Sequence, residues 1–313
     1  MPWEDRIAAP LAWGYVTISV AVIFVVLRFI SRGYILRVLG PTDWAIAASG
    51  IISILFTAVT ISEINSGYGY HIWEVTPEQL VLFYKMCYFS FVLYGLATVA
   101  TKVSILLLYL DIFNGTTLRR TTYAVLAAVA IWGTWTLFSS IFFCWPIRAF
   151  WHTDMTEKTC LPRAKFFVEI WLHFALDFII FLLPIPVIRS MTLPARQKLW
   201  LYFVFALGFL ICLVIAVRIY YMYRTLTSSD ATWEAMIIVI LCFIELNLSI
   251  VIPCLLTLRP LVDKVFPNLL AHEASSRRPN SDGSPRDDDS IHPPTISSPM
   301  PRLAAGGLEM QEV

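Results

Sequence analysis

Seven long apolar runs are the feature of this sequence that most constrains its fold. A bilayer core about 30 Å thick needs about 20 predominantly apolar residues per crossing helix. Runs this continuous are typical of helices, because the strands of a membrane β-barrel alternate apolar and polar residues. The sequence therefore predicts an all-α membrane protein, a seven-transmembrane helix bundle with spans at Leu11–Ile30, Trp44–Ile61, Leu80–Leu110, Tyr123–Phe143, Phe166–Ile188, Leu199–Tyr223 and Trp233–Leu258.

The composition excludes two broad classes of protein. Hydrophobic residues make up 58% of the chain and charged residues 14%, against about 25% charged in soluble domains. A water-soluble globule is therefore excluded. With 23 Lys and Arg against 22 Asp and Glu, the formal net charge is +1, and nucleic-acid binding would need a basic surface. We expect the lipid bilayer as a partner, and no nucleic acid.

The charges around the first span predict the orientation of the chain. Residues 1–10 lack the basic segment and cleavage site of a signal peptide, so the first span serves as its own signal. Arg32 and Arg37 follow that span, and positive residues favour the cytoplasmic side. The sequence thus predicts an extracellular N-terminus, a cytoplasmic C-terminus and a multi-pass protein of the plasma membrane.

The two ends of the chain differ in composition from the part between them. Residues 1–10 form a short extracellular segment in this interpretation, and residues 11–267 form the membrane domain. Beyond Leu261 the sequence becomes rich in Ser, Pro, Asp and Arg, and such a segment buries too little apolar surface to offset its ordering entropy. We predict a disordered cytoplasmic tail over residues 271–313.

Two cysteines flank the longest loop between spans. Cys144 and Cys160 would lie on the non-cytoplasmic side, where disulfides form, and we predict a bond between them. A bridge from Cys87, near the outer end of the third span, to this loop is the alternative. The sequon at Asn114 falls on the cytoplasmic side in this topology and is predicted to carry no sugar.

Several ionisable residues lie within the predicted spans, where a charge costs about 3 kcal/mol or more. Glu169, His173 and Asp177 are four residues apart and share one face of the fifth helix. Glu245 lies at a depth similar to Asp177, and Arg218 lies nearer the outside. Lys102 is expected nearer the cytoplasm, within reach of Asp43, which leaves Asp177 and Glu245 without a cation at their own depth.

These buried polar residues allow two interpretations. In the first they line a cavity that binds a ligand or relays protons, and in the second they form interhelical hydrogen bonds that specify the bundle. The candidate cavity residues are Lys102, Glu169, His173, Asp177, Arg218 and Glu245.

The motifs of cofactor and metal chemistry are not found in the sequence. A retinal Schiff base needs a lysine in the seventh helix, and Trp233–Leu258 contains none. His173 is the only histidine in a predicted span, whereas transmembrane haem needs paired histidines. Metal-ligand spacings, a P-loop and a nucleophile elbow are also missing. We therefore predict no cofactor and no metal site, and a non-enzymatic role is favoured.

Several short motifs follow one another in a fixed order along the chain. They are Asp43-Trp44, Gly67–Trp73, Lys102–Ser104, Tyr109–Phe113, Cys144–Pro146, Trp151, Cys160, Asp177, Leu183–Pro186, Arg218, Glu245 and Leu258–Leu261. In this order they resemble the fungal rhodopsin-domain integral membrane proteins, over about Leu11 to Pro267. With ten residues before the first span, the chain resembles the short form that lacks a cysteine-rich extracellular domain.

The resemblance implies functions that the motifs alone do not specify. That family includes receptor-like proteins and membrane proteins found beside secondary-metabolite genes. The leading hypothesis is a receptor-like protein that senses a small molecule or surface cue and acts on a cytoplasmic signalling partner. The alternatives are a terpene-cyclase-like membrane enzyme, with Asp177 and Glu245 as acids, and a transporter or accessory protein of a secondary-metabolite pathway.

Overall fold

The computed structural model describes residues 3–66, 71, 73–112, 115–152, 155–162, 164–186, 195–228 and 231–265. Within these ranges the chain forms seven long helices. They are α1 (Trp3–Phe29), α2 (Pro41–Asn65), α3 (Pro77–Ile112), α4 (Thr116–Ile141), α5 (Ala164–Leu182), α6 (Ala195–Thr227) and α7 (Met236–Val265). The predicted all-α architecture with seven helices is confirmed. The predicted tail at residues 271–313 and the sequon residue Asn114 lie outside the described residues.

Six of the helices in the described part are long and apolar enough to cross a bilayer. The candidate spans are Ile7–Ile35, Pro41–Asn65, Pro77–Ile112, Thr116–Ile141, Tyr202–Thr227 and Met236–Leu258. The remaining helix, α5, has 19 residues, and these include Lys165, Glu169 and Asp177. Charge rather than length therefore separates α5 from the other six helices.

The ends of the helices follow local sequence signals. α2 begins at Pro41, a residue suited to the first helical position, and the Asp43 carboxylate accepts a hydrogen bond from the Gly40 N–H at 2.9 Å. α5 ends at Leu182, shortly before Pro184, because proline disfavours helix at the residue before it. α7 continues past its predicted end and includes Lys264 in its last turn.

The first helix is longer than its apolar run. α1 begins at Trp3, so residues 3–10 are helical, and it passes into a π-helical turn at Ile30–Ile35. The continuous helix brings Arg28 and Arg32 beside the start of α2, where both contact Asp43.

The helices pack as a closed ring in chain order. Each helix contacts the next, α7 returns to pack against α1, and α3 also contacts α7 across the bundle. The span in α7 is 61% buried, whereas the span in α1 is 17% buried. α7 therefore lies towards the middle of the bundle, and α1 lies at its edge.

Apolar side chains both fill the bundle and cover its outside. Three clusters form the core, around Ile215 and Ile250, around Phe243 and Leu246, and around Leu106 and Val129. Large apolar side chains also point outward, as Ile131 does with 73% of its surface exposed. An apolar exterior over an ordered core suits a protein that is embedded in lipid.

A disulfide closes the segment between α4 and α5. Cys144 and Cys160 are joined by it, and they pair across two short antiparallel strands, β1 (Cys144–Trp145) and β2 (Thr159–Cys160). Between the strands, Phe150 packs edge-on against Tyr84, with ring centroids 6.5 Å apart. This loop therefore rests on α3 at the end of the bundle where α5 begins.

Candidate functional site

A charged cluster joins α3 to α5 inside the bundle. Lys102 donates to the Asp177 Oδ1 carboxylate oxygen, and His173 Nε2 lies 2.7 Å from the other oxygen, Oδ2. Lys102 is 3% exposed and His173 is 4% exposed. Since both oxygens of Asp177 contact a cation or the imidazole, this carboxylate is fully engaged by its neighbours.

His173 extends the cluster to α6 and α7. Its Nε2 atom is also 3.1 Å from Glu245 Oε1, and Arg218 Nη1 is 3.0 Å from Glu245 Oε2. Tyr94 donates its hydroxyl hydrogen to Glu245 and accepts one from Arg218. One imidazole thus stands between two carboxylates, each held by its own cation.

Lys102 lies where the sequence does not place it. The expectation that Lys102 reaches Asp43 and leaves Asp177 and Glu245 without cations is wrong, because Lys102 pairs with Asp177 and Arg218 pairs with Glu245. α5 runs from Ala164 to Leu182 rather than from Phe166 to Ile188, which moves its midpoint about 6 Å away from Asp177 at about 1.5 Å per residue. Asp177 therefore lies nearer the end of α5 that faces Lys102.

The same reasoning explains the partner of Glu245. α7 runs from Met236 to Val265, so its centre lies several residues beyond the predicted one. Glu245 therefore lies on the side of the α7 centre that is nearer the disulfide loop. Arg218 lies at the same depth. Helix ends set the depth of a side chain, and the apolar pattern locates those ends only roughly.

Glu169 belongs to the edge of this site. Lys165, four residues earlier on α5, places its Nζ atom 3.2 Å from Glu169 Oε2. Five of the six residues predicted for a polar cavity therefore meet in one cluster, which we call the central cluster: Lys102, His173, Asp177, Arg218 and Glu245. Glu169 lies one helical turn from His173, on the same face of α5.

A small cavity adjoins the central cluster between α3, α4, α5 and α6. Its volume is about 60 Å³. A water molecule needs about 10–15 Å³ measured in this way, so the space accommodates a few waters or one small group. Its walls are formed by Phe91, Tyr94, Gly95, Thr98, Trp132, Thr136, Ser140, Phe166, Glu169, Ile170, His173, Arg218 and Met222.

Trp132 is the cavity residue that sequence reasoning missed most clearly. Its ring meets His173 edge-on, with ring centroids 5.3 Å apart, and Lys102 Nζ lies 5.6 Å from its centroid. A buried tryptophan on an apolar helix looks like core packing in the sequence. Thr136, one helical turn later, is the nearest sequence signal that this face of α4 is polar.

A second charged cluster lies at the start of α2. Asp43 Oδ1 accepts from Arg28 Nε at 2.8 Å, and Arg32 Nη1 is 3.3 Å away. Arg28 Nη1 donates to the Pro253 carbonyl at 2.7 Å, and the Arg28 and Asp43 side chains are fully buried. We call these residues, Arg28, Arg32, Asp43 and the Pro253 carbonyl, the cap cluster, because Asp43 also caps α2.

A further buried carboxylate was also missed. Glu63 on α2 accepts a hydrogen bond from Ser90 at 2.9 Å and another from the Cys87 thiol. Cys87, the alternative disulfide partner in the sequence, is a free thiol whose hydrogen bond goes to this carboxylate. Among the described residues, no group of three or more His, Cys, Asp and Glu side chains is arranged to hold a metal ion.

The chain is similar to a known protein family and to individual proteins of two fungi. The sequence profile of the fungal rhodopsin domain matches residues 27–264. A protein of Metarhizium anisopliae described as polyenoic acids biosynthesis gene cluster protein Ba17b is 25% identical over 264 residues, covering 78% of this chain and 71% of that protein.

A second relative comes from Emericella nidulans and is described as a SAT4 family membrane protein. It is 25% identical over 184 residues, which cover 57% of this chain and 48% of that protein. This chain therefore aligns with about half of the length of that relative. No solved structure matches the chain.

Proposed function

The chain belongs to the fungal rhodopsin domain family, and on that premise we propose that it is a receptor-like protein of the plasma membrane that senses a small molecule in the cavity beside His173. One observation carries the proposal. His173 Nε2 lies 2.7 Å from Asp177 and 3.1 Å from Glu245, so one buried side chain links the ion pairs of four helices at the wall of a cavity.

The central cluster offers a way to convert binding into movement. A ligand in the cavity would contact Arg218 and His173, which also hold Glu245 and Asp177. Charged pairs in a packed interior have a few discrete arrangements, so a change of partner shifts whole helices rather than deforming them smoothly. The ligand would therefore alter how α5 and α6 pack against α3 and α7.

We further propose that the N-terminus lies outside and the C-terminus in the cytoplasm. The support is the Cys144–Cys160 disulfide, which belongs in an oxidising compartment, together with Arg32 and Arg37 after the first span. In this orientation the cavity lies towards the extracellular half. The signalling partner would meet the opposite end, where α3 ends at Ile112 and α4 begins.

A distance measurement tests the receptor proposal. Ile112 and Phe203 are 48% and 50% exposed, and both lie at the end of the bundle opposite the disulfide loop. Spin labels on Ile112→Cys and Phe203→Cys in nanodiscs would report their separation by pulsed electron resonance. We expect medium from fungal cultures to shift the separation by about 2 Å or more, and the same medium to leave the His173→Phe variant unchanged. No shift in the otherwise wild-type protein would contradict the proposal.

A role in a biosynthetic pathway is the second candidate, and one comparison favours it. The Metarhizium anisopliae relative is described as part of a polyenoic acids biosynthesis gene cluster. A transporter or accessory protein of such a pathway would move its product across the membrane or bind a pathway enzyme. Uptake of labelled sorbic acid, a short polyenoic acid, into proteoliposomes would support transport, and a distance response without uptake would favour the receptor.

The terpene-cyclase alternative gains no support from the site. Each oxygen of Asp177 and of Glu245 already contacts a neighbouring cation, imidazole or hydroxyl, so neither of these two acids has an oxygen left for a substrate. The cavity of about 60 Å³ accommodates a few waters or one small group, so it is too small for an isoprenoid substrate.

A further inference from the structure

Three residues that line the cavity each carry a buried hydrogen-bond donor without a partner. Trp132 Nε1, Thr136 Oγ1 and Arg218 Nε have no hydrogen-bond partner among the residues that the structure describes. Their residues are 6%, 4% and 8% exposed, and all three line the same cavity. An unpaired buried donor costs about 1–3 kcal/mol, so three at one place indicate a site that is completed by something else.

The missing partner must supply acceptors. Trp132 Nε1 and Arg218 Nε can only donate, and Thr136 can donate through its hydroxyl. The acidic side chains nearby are engaged, since Glu245 is held by Arg218 and Glu169 by Lys165. What the cavity offers is therefore a surplus of N–H and O–H donors.

The unpaired donors favour an anionic acceptor with a small polar head. Each carboxylate beside the cavity has its own cation, so an added anion meets no unpaired negative charge. A hydrogen bond with an ionised donor or acceptor is about twice as strong as one between two neutral groups, so the neutral donors of Trp132 and Thr136 bind an ionised oxygen more strongly. A carboxylate has two oxygens, which three donors of this kind can share.

The size and lining of the cavity are consistent with this head group. A volume of about 60 Å³ holds a carboxylate and a few carbons, judged by the 10–15 Å³ or so that one water needs. Phe91, Phe166, Ile170 and Met222 supply apolar walls. Phe91 is 42% exposed, so a hydrocarbon chain can leave the cavity past it.

We propose that this cavity binds the carboxylate group of an aliphatic acid, with Trp132, Thr136 and Arg218 as the donors. The inference rests on the proposed sensing function, and it gives the ligand a chemical class. The acid has two sources, a short acid from water or a fatty acid from the bilayer. The cap cluster also has a leftover donor, Arg28 Nη2, but Arg28 is not part of the cavity wall.

Equilibrium binding to the full chain in nanodiscs tests the inference. We expect radiolabelled butyrate to bind saturably and unlabelled butyrate to displace it, whereas butyramide, which has the same shape without the charge, should not. Displacement by oleate, but not by oleamide, would identify the bilayer as a source of the ligand. Displacement by butyrate alone would identify a water-soluble acid.

Matched variants on α4 locate the site. Trp132→Phe keeps the ring and removes the N–H, and Thr136→Val keeps the shape and removes the hydroxyl. Each should weaken butyrate binding about tenfold, because a hydrogen bond to a charged group is lost. Trp135→Phe and Thr134→Val are the controls, since both side chains are exposed on the same helix and should bind like the wild type.

The outcomes separate this inference from the receptor proposal. Absence of saturable binding, equal displacement by butyramide, or equal binding by the Trp132→Phe and Trp135→Phe variants would overturn the carboxylate site. Saturable binding that leaves the Ile112–Phe203 distance unchanged would support the site and contradict the receptor. A distance response to culture medium in a protein that binds neither acid would support the receptor proposal and contradict the carboxylate site.

Discussion

The central cluster and the cap cluster are built from similar groups but differ in their surroundings. In each, one carboxylate contacts two basic side chains, Glu245 with Arg218 and His173, and Asp43 with Arg28 and Arg32. The central cluster forms part of a cavity wall, which includes unpaired donors. The cap cluster instead ties a helix start and the Pro253 carbonyl together.

The comparison shows that a buried charge is weak evidence of function by itself. The Arg28–Asp43 pair is the more completely buried of the two, yet its bonds go to the backbone that shapes α2 and α7. A charge network becomes a functional candidate when open space and unsatisfied donors lie beside it. We therefore propose a structural role for the cap cluster and a ligand-responsive role for the central cluster.

The largest effect on stability is expected from neutralising the cap cluster. Asp43→Asn leaves Arg28 buried without its counter-ion, which costs about 3–5 kcal/mol. Glu245→Gln is the matched change in the central cluster, and it should cost about 1–3 kcal/mol, because Arg218 still donates to the Tyr94 hydroxyl. Denaturant titration in nanodiscs measures both, and equal losses would remove the distinction between the clusters.

The disulfide should contribute almost as much to stability as the charge of Asp43 in the cap cluster. The Cys144–Cys160 bridge closes a loop with a sequence separation of 16, and a loop of that size contributes about 3 kcal/mol. We expect the Cys144→Ser, Cys160→Ser double variant to lose this amount. The loss should add to that of Asp43→Asn, since the loop and the cap cluster share no partner. A stability loss below about 1 kcal/mol would contradict the estimate.

The same bridge tests the proposed orientation. A membrane-impermeant phosphine reductant applied to intact cells should open the Cys144–Cys160 bond and expose both thiols to an impermeant maleimide. Labelling only after the cells are permeabilised would place the loop in the cytoplasm and reverse the topology.

A steric change on α4 should move the cavity wall without altering a charge. A Cβ added to Gly133 would lie 2.8 Å from a Val99 methyl group, so Gly133→Ala should cost about 1–3 kcal/mol. Val99→Ala in the same chain should restore much of that loss. Gly115→Ala is the control, because nothing lies within 4 Å of its added Cβ. Failure of Val99→Ala to restore stability would show that α3 and α4 do not meet there.

The smallest effect is expected from the outer arginine of the cap cluster. Arg32 has 15% of its side chain exposed, whereas Arg28 is fully buried. Arg32→Ala should therefore cost about 1 kcal/mol or less. Thermal unfolding of Arg32→Ala beside Arg28→Ala provides the measurement, and a larger loss for Arg32→Ala would invert the assigned roles.

The sequence predicted the helices well because long apolar runs carry a strong signal. Seven runs correspond to seven helices, and the spacing of four between His173 and Asp177 placed both on one face. The family is confirmed, since the fungal rhodopsin domain covers residues 27–264.

The apolar pattern could not predict which charged residues pair, for a physical reason. Depth within the bundle depends on where each helix ends, and α5 and α7 end several residues from the limits of their apolar runs. A shift of four residues is about 6 Å, enough to exchange one salt-bridge partner for another. Trp132 and Arg28 were missed because a lone tryptophan or terminal arginine has no periodicity that marks it as buried.

The distance between spin labels at Ile112 and Phe203, measured without ligand, tests the distinction between the two clusters most directly. The account predicts that Glu245→Gln shifts this distance by about 2 Å or more while the protein stays folded, because releasing Arg218 frees α6 from α7. It predicts that folded Asp43→Asn protein keeps the wild-type distance. An unchanged distance in Glu245→Gln, or the same shift in Asp43→Asn, would contradict the assignment of ligand response to the central cluster.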